Sequence, residues 1–328
     1  MSTPTLRPPL QAGRTESPLL PIEWITLGYT LFTSLLILLC YNDLSDPVRM
    51  WQGRLWVAGG TLLFWLLGRL FPGELTRLLR SLFPLGLLGY WYPDTYDFCQ
   101  LLPNLDHFFA GIDYQLFGCQ PALTFSHVLP GKLWSELFHL GYFSYYPLIF
   151  LTALAPLAVD RRQFEPTAFV IMGGFLLYYL IYLFLPVAGP QYYFCAVDPH
   201  TVHDGLYPAL GDYFRSHTEL RPSPGPEGLF RHLVELTQAG GERPTAAFPS
   251  SHVGMSTILM LLLWQGGRRR LFCVALPFYL LLCGATVYIE AHYLIDVFGG
   301  LLSAVAFYPL LCRLYRRMAG AAADAPLP

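Results

Sequence analysis

The sequence predicts an all-α integral membrane protein with about eight transmembrane helices. Of its 328 residues, 54% are hydrophobic and 13% charged, and the mean hydropathy is +0.42. Apolar runs recur at close to the ~20 residues that cross a bilayer as a helix. The basic residues cluster in short connections between those runs, as they do in polytopic proteins.

The runs fall at 22–42, 55–72, 75–92, 133–157, 166–187, 252–266, 271–288 and 292–312. Residues 1–20 are polar and contain several prolines. No apolar stretch precedes a small-residue cleavage site, so the first span is expected to serve as the insertion signal. The first two spans form an N-terminal extension over 21–74. The remaining six form a core over 75–318, followed by a short tail at 319–328. Arg7 and Arg14 precede the first run; Arg161 and Arg162, Arg268 to Arg270, and Arg313, Arg316 and Arg317 follow the fourth, sixth and eighth. The positive-inside rule assigns all four clusters to the cytoplasm, together with both termini. That assignment holds together only if 75–92 also crosses, with Arg77 and Arg80 snorkelling from its start. Arg49 and Arg54 then fall on the outer side, against the trend.

Two outer segments, 93–132 and 188–249, are too long to be simple turns. In the first, Asn104-Leu105-Asp106-His107-Phe108-Phe109 runs on to Ile112 and Leu116 with the spacing of an interfacial amphipathic helix. In the second, Arg221-Pro222-Ser223-Pro224-Gly225-Pro226 predicts irregular chain, and Leu229, Leu233 and Leu236 predict a short helix.

A net charge of −2, with Lys132 the only lysine, argues against a nucleic-acid partner and for the bilayer and its lipids. The seven cysteines show no metal-ligand or CxxC spacing. Cys40, Cys273, Cys283 and Cys312 read as small hydrophobes, whereas Cys99, Cys119 and Cys195 leave a disulfide open as one alternative. His200 and His203 with Asp198 and Asp204 suggest a polar loop rather than a metal site. No metal and no cofactor is expected.

The chemistry concentrates on two histidines. His252 opens the sixth run and His292 the eighth, and in the expected topology both lie at helix N-termini on one membrane face. Such ends offer unpaired N–H groups and partial positive charge to an anion. Ser250 or Ser251 is a natural N-cap beside Pro249. Asp296 follows His292 by four residues; on a helix this puts the carboxylate within reach of one ring nitrogen, fixing the tautomer and leaving the other nitrogen nucleophilic. His292 is then the nucleophile toward phosphorus, and His252 the acid and base for the leaving and entering oxygens. A structural reading, with the histidines anchoring helix ends, suits a lone His better than this set of three.

Pro249-Ser250-Ser251-His252 followed by His292-Tyr293-Leu294-Ile295-Asp296 resembles the paired blocks of the type 2 phosphatidic acid phosphatase superfamily. The resemblance covers about the C-terminal two-thirds of the chain. It implies a six-helix membrane core formed by spans three to eight, and the same roles for His292, Asp296 and His252. The phosphatase branch carries a Lys-x6-Arg-Pro block and a Ser-Arg pair ahead of its nucleophile. Here no lysine precedes Arg243-Pro244 at that distance, and Ala285-Thr286 stand in the pair's place. The Ala247-to-His252 block, Tyr288 and Ala291-His292-Tyr293 resemble instead the inositol phosphorylceramide synthase branch, as do Pro186 to Gln191 and Asp113 to Gly118, less specifically.

Fewer basic residues suit a phosphodiester, with one negative charge, better than a monoester with nearly two. Arg243 is the candidate phosphate ligand, with Ser250 and Ser251 beside it; Gln191 and Tyr193 are candidates for contacting a headgroup. His139, Tyr142, Tyr145 and Tyr146 form a polar aromatic face that suits packing or a lipid pocket. Glu290 is assigned no role. The expected activity is transfer of phosphoinositol from a phosphatidylinositol-like donor to a ceramide-like acceptor, releasing diacylglycerol. A lipid phosphate phosphatase, with water as acceptor, is the alternative within enzymes; a transporter or receptor on the same membrane core is the non-enzymatic one. The expected setting is a bacterial inner membrane with the site facing the periplasm.

Overall fold

A computed structural model describes residues 19–320. Arg7, Arg14 and most of the 319–328 tail lie outside the described residues. Fifteen α-helices are present among the described residues, and no strand. They are α1 (Pro21–Leu39), α2 (Pro47–Leu70), α3 (Glu74–Gly86), α4 (Leu88–Cys99), α5 (Asp106–Phe117), α6 (Pro121–Val128), α7 (Lys132–Phe143), α8 (Tyr145–Val159), α9 (Phe164–Tyr182), α10 (Pro190–Ala196), α11 (Pro199–His203), α12 (Leu229–Gly241), α13 (Ser251–Gln265), α14 (Arg269–Tyr288) and α15 (Leu294–Ala319).

Among the described residues, five helical segments are long and apolar enough to cross a membrane: Pro21–Leu39, Lys132–Val159, Arg161–Tyr182, Arg269–Tyr288 and Leu294–Ala319. The expected spans 55–72, 75–92 and 252–266 take other forms. The first falls in α2 up to Leu70, a helix that carries Arg49, Arg54 and Arg69. The second is divided at Leu87 between α3 and α4. The third is α13, 15 residues long and packed against α8, α9, α14 and α15. A helix that is apolar all round belongs inside a bundle as readily as inside a bilayer, and composition alone does not separate the two. Large apolar side chains cover the outside of the body, with Trp56 80% and Leu302 69% exposed. That surface calls for lipid rather than water.

The connections at one end of the bundle are tied by charge. Arg80 Nη2 meets Glu23 Oε2 at 2.6 Å, Arg77 meets Glu165 at 2.8 Å and Arg161 meets Glu74 at 3.3 Å. Arg268 donates to Gln163 at 2.8 Å at the same end. His252 lies at the opposite end of α13 from Arg268. Arg49 and Arg54, which break the charge trend in the sequence, are held by Asp97 at 3.0 Å and by Asp94 at 2.5 Å. Paired in this way, they lose much of their weight as orientation signals.

The two long segments fold onto the histidine end. The expected amphipathic helix is α5, which buries Asp106, Phe109, Ala110 and Asp113 and exposes Phe108 and Leu116. The start of the first segment, from residue 93, is still helical in α4. In the second, α12 follows the helix-free 221–226 stretch. Asp198 caps α11 by accepting from His200 N at 3.0 Å. All seven cysteines are free thiols, including Cys99, Cys119 and Cys195.

Candidate active site

Three turns converge at the histidine end: 185–189 between α9 and α10, 244–250 before α13 and 289–293 before α15. Gly254 and Gly300 bring α13 and α15 together there. A Cβ on Gly300 would stand 2.6 Å from the Ser250 carbonyl, and one on Gly254 would stand 2.9 Å from the Gly300 carbonyl. Only glycine admits so close a crossing. Ser250 caps α13 by accepting from Val253 N at 3.3 Å, and its own N–H donates to the Asp296 carbonyl at 3.0 Å.

This crossing puts the two catalytic candidates in contact. His252 Nδ1 lies 3.3 Å from His292 Nε2, with ring centroids 5.5 Å apart. His292 is 3% exposed, and its Nδ1 lies 2.9 Å from the Ala247 carbonyl oxygen. A carbonyl can only accept, so Nδ1 carries the proton and Nε2 presents a lone pair. Burial pulls His292 down to about 4, against the opposing pull of that carbonyl. A ring that is neutral near pH 7 with a lone pair on Nε2 is a competent nucleophile. His252 packs against both Tyr142 and Tyr145, each with its ring centroid 4.6 Å away.

The geometry corrects one element of the sequence argument. His292 and Asp296 do not share a helical face, because α15 begins only at Leu294 and His292 sits in the turn before it. Asp296 is instead the third residue of α15 and reaches back to accept from Tyr293 N at 2.9 Å. Its Oδ2 stands 3.4 Å from His292 Nδ1. Asp296 is thus in reach of His292 Nδ1, but the closer partner of that nitrogen is the Ala247 carbonyl. Ala246 just before it has φ 68°, a left-handed conformation uncommon for a residue with a Cβ, and Ala247 N donates to the Val187 carbonyl at 2.9 Å.

A second expectation is also redirected. The first N–H groups of α15 do not await an anion: Leu294 N and Ile295 N donate to the Asp113 carboxylate at 2.8 and 2.9 Å. Asp106, fully buried, accepts from Ala188 N at 2.6 Å, Gly189 N at 2.8 Å and the Tyr293 hydroxyl at 2.9 Å. Burial pushes both carboxyls upward, and these donors oppose the push. Gly189 has φ +99°, and a Cβ there would meet the Ala291 carbonyl at 2.7 Å. Two acidic residues of α5 therefore staple the outer segments to the catalytic turn. Their sequence signal was present: both lie on the buried stripe of an otherwise apolar amphipathic helix, where an unpaired carboxylate is costly.

A family model described as PAP2 superfamily matches residues 115–310. The chain belongs to the PAP2 superfamily. The matched segment runs from α5 into α15 and contains both histidines and Asp296. Members of this superfamily are generally phosphatases or phosphotransferases, which makes activity of that class on a lipid the plausible one here. No curated protein and no solved structure matches the chain.

The remaining candidates in this superfamily member scatter. Arg243 is exposed and donates to the neighbouring Glu242 carbonyl at 3.2 Å. Among the described residues, no ion pair or hydrogen bond joins it to either histidine. Tyr193 is fully buried in an apolar cluster with its hydroxyl on the Pro208 carbonyl at 2.9 Å, so it faces the core rather than a headgroup. Gln191 is 3% exposed; its amide donates to Glu242 at 3.2 Å and accepts from Gln238 at 3.1 Å. Ser251 is buried beside Ser250 at the head of α13. Glu242, which the sequence did not single out, is pushed up to about 7 by burial, while Gln191 and Gln238 oppose the rise.

Proposed function

We propose that the protein is a membrane phosphotransferase working through a phosphohistidine, of the inositol phosphorylceramide synthase type. The observation that carries this reading is the 3.3 Å contact between His252 Nδ1 and His292 Nε2, with the far nitrogen of His292 held on a carbonyl. Two nitrogens in contact leave no room for phosphorus, so the phosphoryl group replaces this hydrogen bond when it enters between the rings. His292 Nε2 then forms the N–P bond as the P–O bond to diacylglycerol breaks, and His252, as the imidazolium, gives that oxygen its proton and is left as the neutral base. In the second half His252 takes the proton of a ceramide hydroxyl. The alkoxide oxygen bonds to phosphorus, and the N–P bond breaks.

The diester preference is supported by the sparse positive charge. Among the described residues, no arginine or lysine forms an ion pair or hydrogen bond with His252, His292 or Asp296. A donor with one negative charge fits that setting better than a monoester with nearly two. The arginine-rich end of the bundle supports a cytoplasmic assignment for that end, and so an outward, periplasm-facing site in a bacterial inner membrane. An eight-crossing body is the reading in which α2, the α3–α4 pair and α13 also span. The test uses purified protein with labelled phosphatidylinositol, with and without ceramide. Ceramide-dependent release of diacylglycerol supports the synthase; release of inorganic phosphate from a monoester, with no ceramide dependence, replaces it with a phosphatase.

A further inference from the structure

A cavity of about 380 Å³ opens next to the catalytic turn. It is lined by Glu290, two residues before His292, by Ser126 and His127 at the end of α6, and by the proline-rich 221–226 stretch beginning at Arg221. The volume falls within the range that holds small ligands, roughly 300–1,000 Å³.

Irregular as it is, the proline-rich wall is fixed in place. Arg221 N donates to the Gln191 carbonyl at 3.0 Å, and Gln191 N donates to the Glu290 carbonyl at 2.8 Å. One residue therefore sets the spacing between the two charged groups. Ser135 Oγ donates to the Pro226 carbonyl at 3.3 Å, and Arg231 donates to the Gly225 carbonyl. Gly225, at φ +89°, packs so close to α7 that a Cβ would stand 2.9 Å from Ser135.

Glu290 is unusual in two ways. It is 5% exposed, yet its Oε2 has no hydrogen-bond partner and stands 3.3 Å from Arg221 Nε. Its φ is 66°, a strained conformation for a residue with a Cβ and one that concentrates at functional sites. Held by an ion pair but by no hydrogen bond, that oxygen keeps an open acceptor position. Arg221 is 42% exposed by side chain and retains donor capacity toward the cavity.

We propose that this cavity is the subsite for the uncharged, hydroxyl-bearing part of the donor headgroup, a cyclic polyol, with Glu290 accepting and Arg221 donating hydrogen bonds to neighbouring hydroxyls. The pair sums to no net charge, which suits a neutral polyol; a cationic headgroup would meet Arg221, and an anionic one Glu290. Burial pushes Glu290 up to about 7, while Arg221 opposes the rise. The prolines supply flat C–H surfaces against a ring. The proposal rests on the reading of the site as a phosphotransferase acting on a diester, and it names the part of the donor that the cavity selects.

The test compares two diester donors with the same diacylglycerol, phosphatidylinositol and phosphatidylmethanol, on wild type, Glu290→Ala and His127→Trp. His127 is exposed at the cavity wall, so His127→Trp crowds the cavity without touching the Glu290–Arg221 pair. The expected result is a fall of at least ~10-fold in the kcat/KM ratio of the inositol donor to the methanol donor in both variants, the size of one lost hydrogen bond to a charged group. Both donors use His292, so a general disturbance of the turn cancels in the ratio. A ratio within twofold of wild type in both variants overturns the proposal. If wild type turns over neither diester, the phosphotransferase reading fails by itself and the cavity is tested by binding. Saturation-transfer NMR with free myo-inositol then shows transfer to wild type that Glu290→Ala abolishes, or shows none and refutes the subsite.

Discussion

In the α1–α4 region Arg54 grips Asp94 with both terminal nitrogens, at 2.5 and 2.6 Å, with side chains only 2% and 6% exposed. Around His292, by contrast, Glu290 Oε2 and Asp296 Oδ1 are buried without hydrogen-bond partners, and the two histidines hydrogen-bond mainly to each other and to one carbonyl. The first region spends its buried charges on each other and holds helices together. Arg54 Nε, Tyr29 and Trp91 there still leave a polar atom unbonded, but both Asp94 oxygens are engaged; the second region leaves one oxygen on each of two buried carboxyls without a hydrogen bond, at a cost to stability, where the proposed reaction handles a phosphate and its substituents. The same residue types thus serve structure or chemistry according to how fully their partners are already in place.

The largest break in this contrast is expected from His292→Ala. Removing the proposed nucleophile should lower phosphoryl transfer at least ~10³-fold, measured as diacylglycerol release, while the melting temperature moves little. Arg54→Ala should do the opposite. Leaving Asp94 buried and unpaired costs on the order of 3–5 kcal/mol, seen as a large drop in thermal stability in detergent, with turnover per folded molecule retained. Replacing both partners, Arg54→Met with Asp94→Leu, should recover most of that loss. Recovery absent in the double variant would show that the pair does more than satisfy itself.

Gly300→Val forces α15 away from the Ser250 carbonyl and separates the histidines. Overpacking of this kind costs typically ~1–3 kcal/mol, and turnover should fall further than stability does. Asp296→Asn tests the longer contact to His292 Nδ1. A loss of ~10–100-fold is expected for an orienting partner; a smaller one would place the orientation on the Ala247 carbonyl alone.

The smallest effect concerns pH. The folded protein holds His292 down to about 4, below the ~6.5 of an unperturbed histidine. Its neutral form is favoured by folding, so its contribution to stability is complete above ~6.5 and is lost as pH falls toward 4. Glu290 and Glu242, both pushed up to about 7, work in the opposite direction over an overlapping window. The His292 contribution is therefore read from the difference between wild type and His292→Asn, whose melting temperatures should diverge from pH 7 to pH 5, the wild type losing more.

Much of the site was legible from order and spacing. His252 and His292 were visible as paired blocks at the ends of apolar runs, and the structure brings them together. The helix at 106–117 was visible from its apolar period. Asp296 was visible as well, but its relation to His292 was misread, because four-residue spacing means one helical face only if both residues lie within the helix. Tyr193 and Gln191 read as headgroup contacts from position alone, and folding turned both inward. Arg243 read as a phosphate ligand from its nearness in sequence to His252, and it ended at the surface. Glu290 drew no role, since nothing local marks a carboxylate as buried beside a cavity or its backbone as left-handed.

Composition and period by themselves determined that this chain forms a helical membrane body carrying two histidines suited to phosphoryl transfer, because hydrophobic runs and helix ends are local properties written along the chain. Only the tertiary structure decided what each reactive group meets. The partner of His292 Nδ1 lies 45 residues away, the hydroxyl held by Asp106 is 187 residues distant, and Asp113 caps a helix 181 residues later. Such pairings depend on a glycine crossing and three converging turns, and their energies arise only once burial has removed water from both partners.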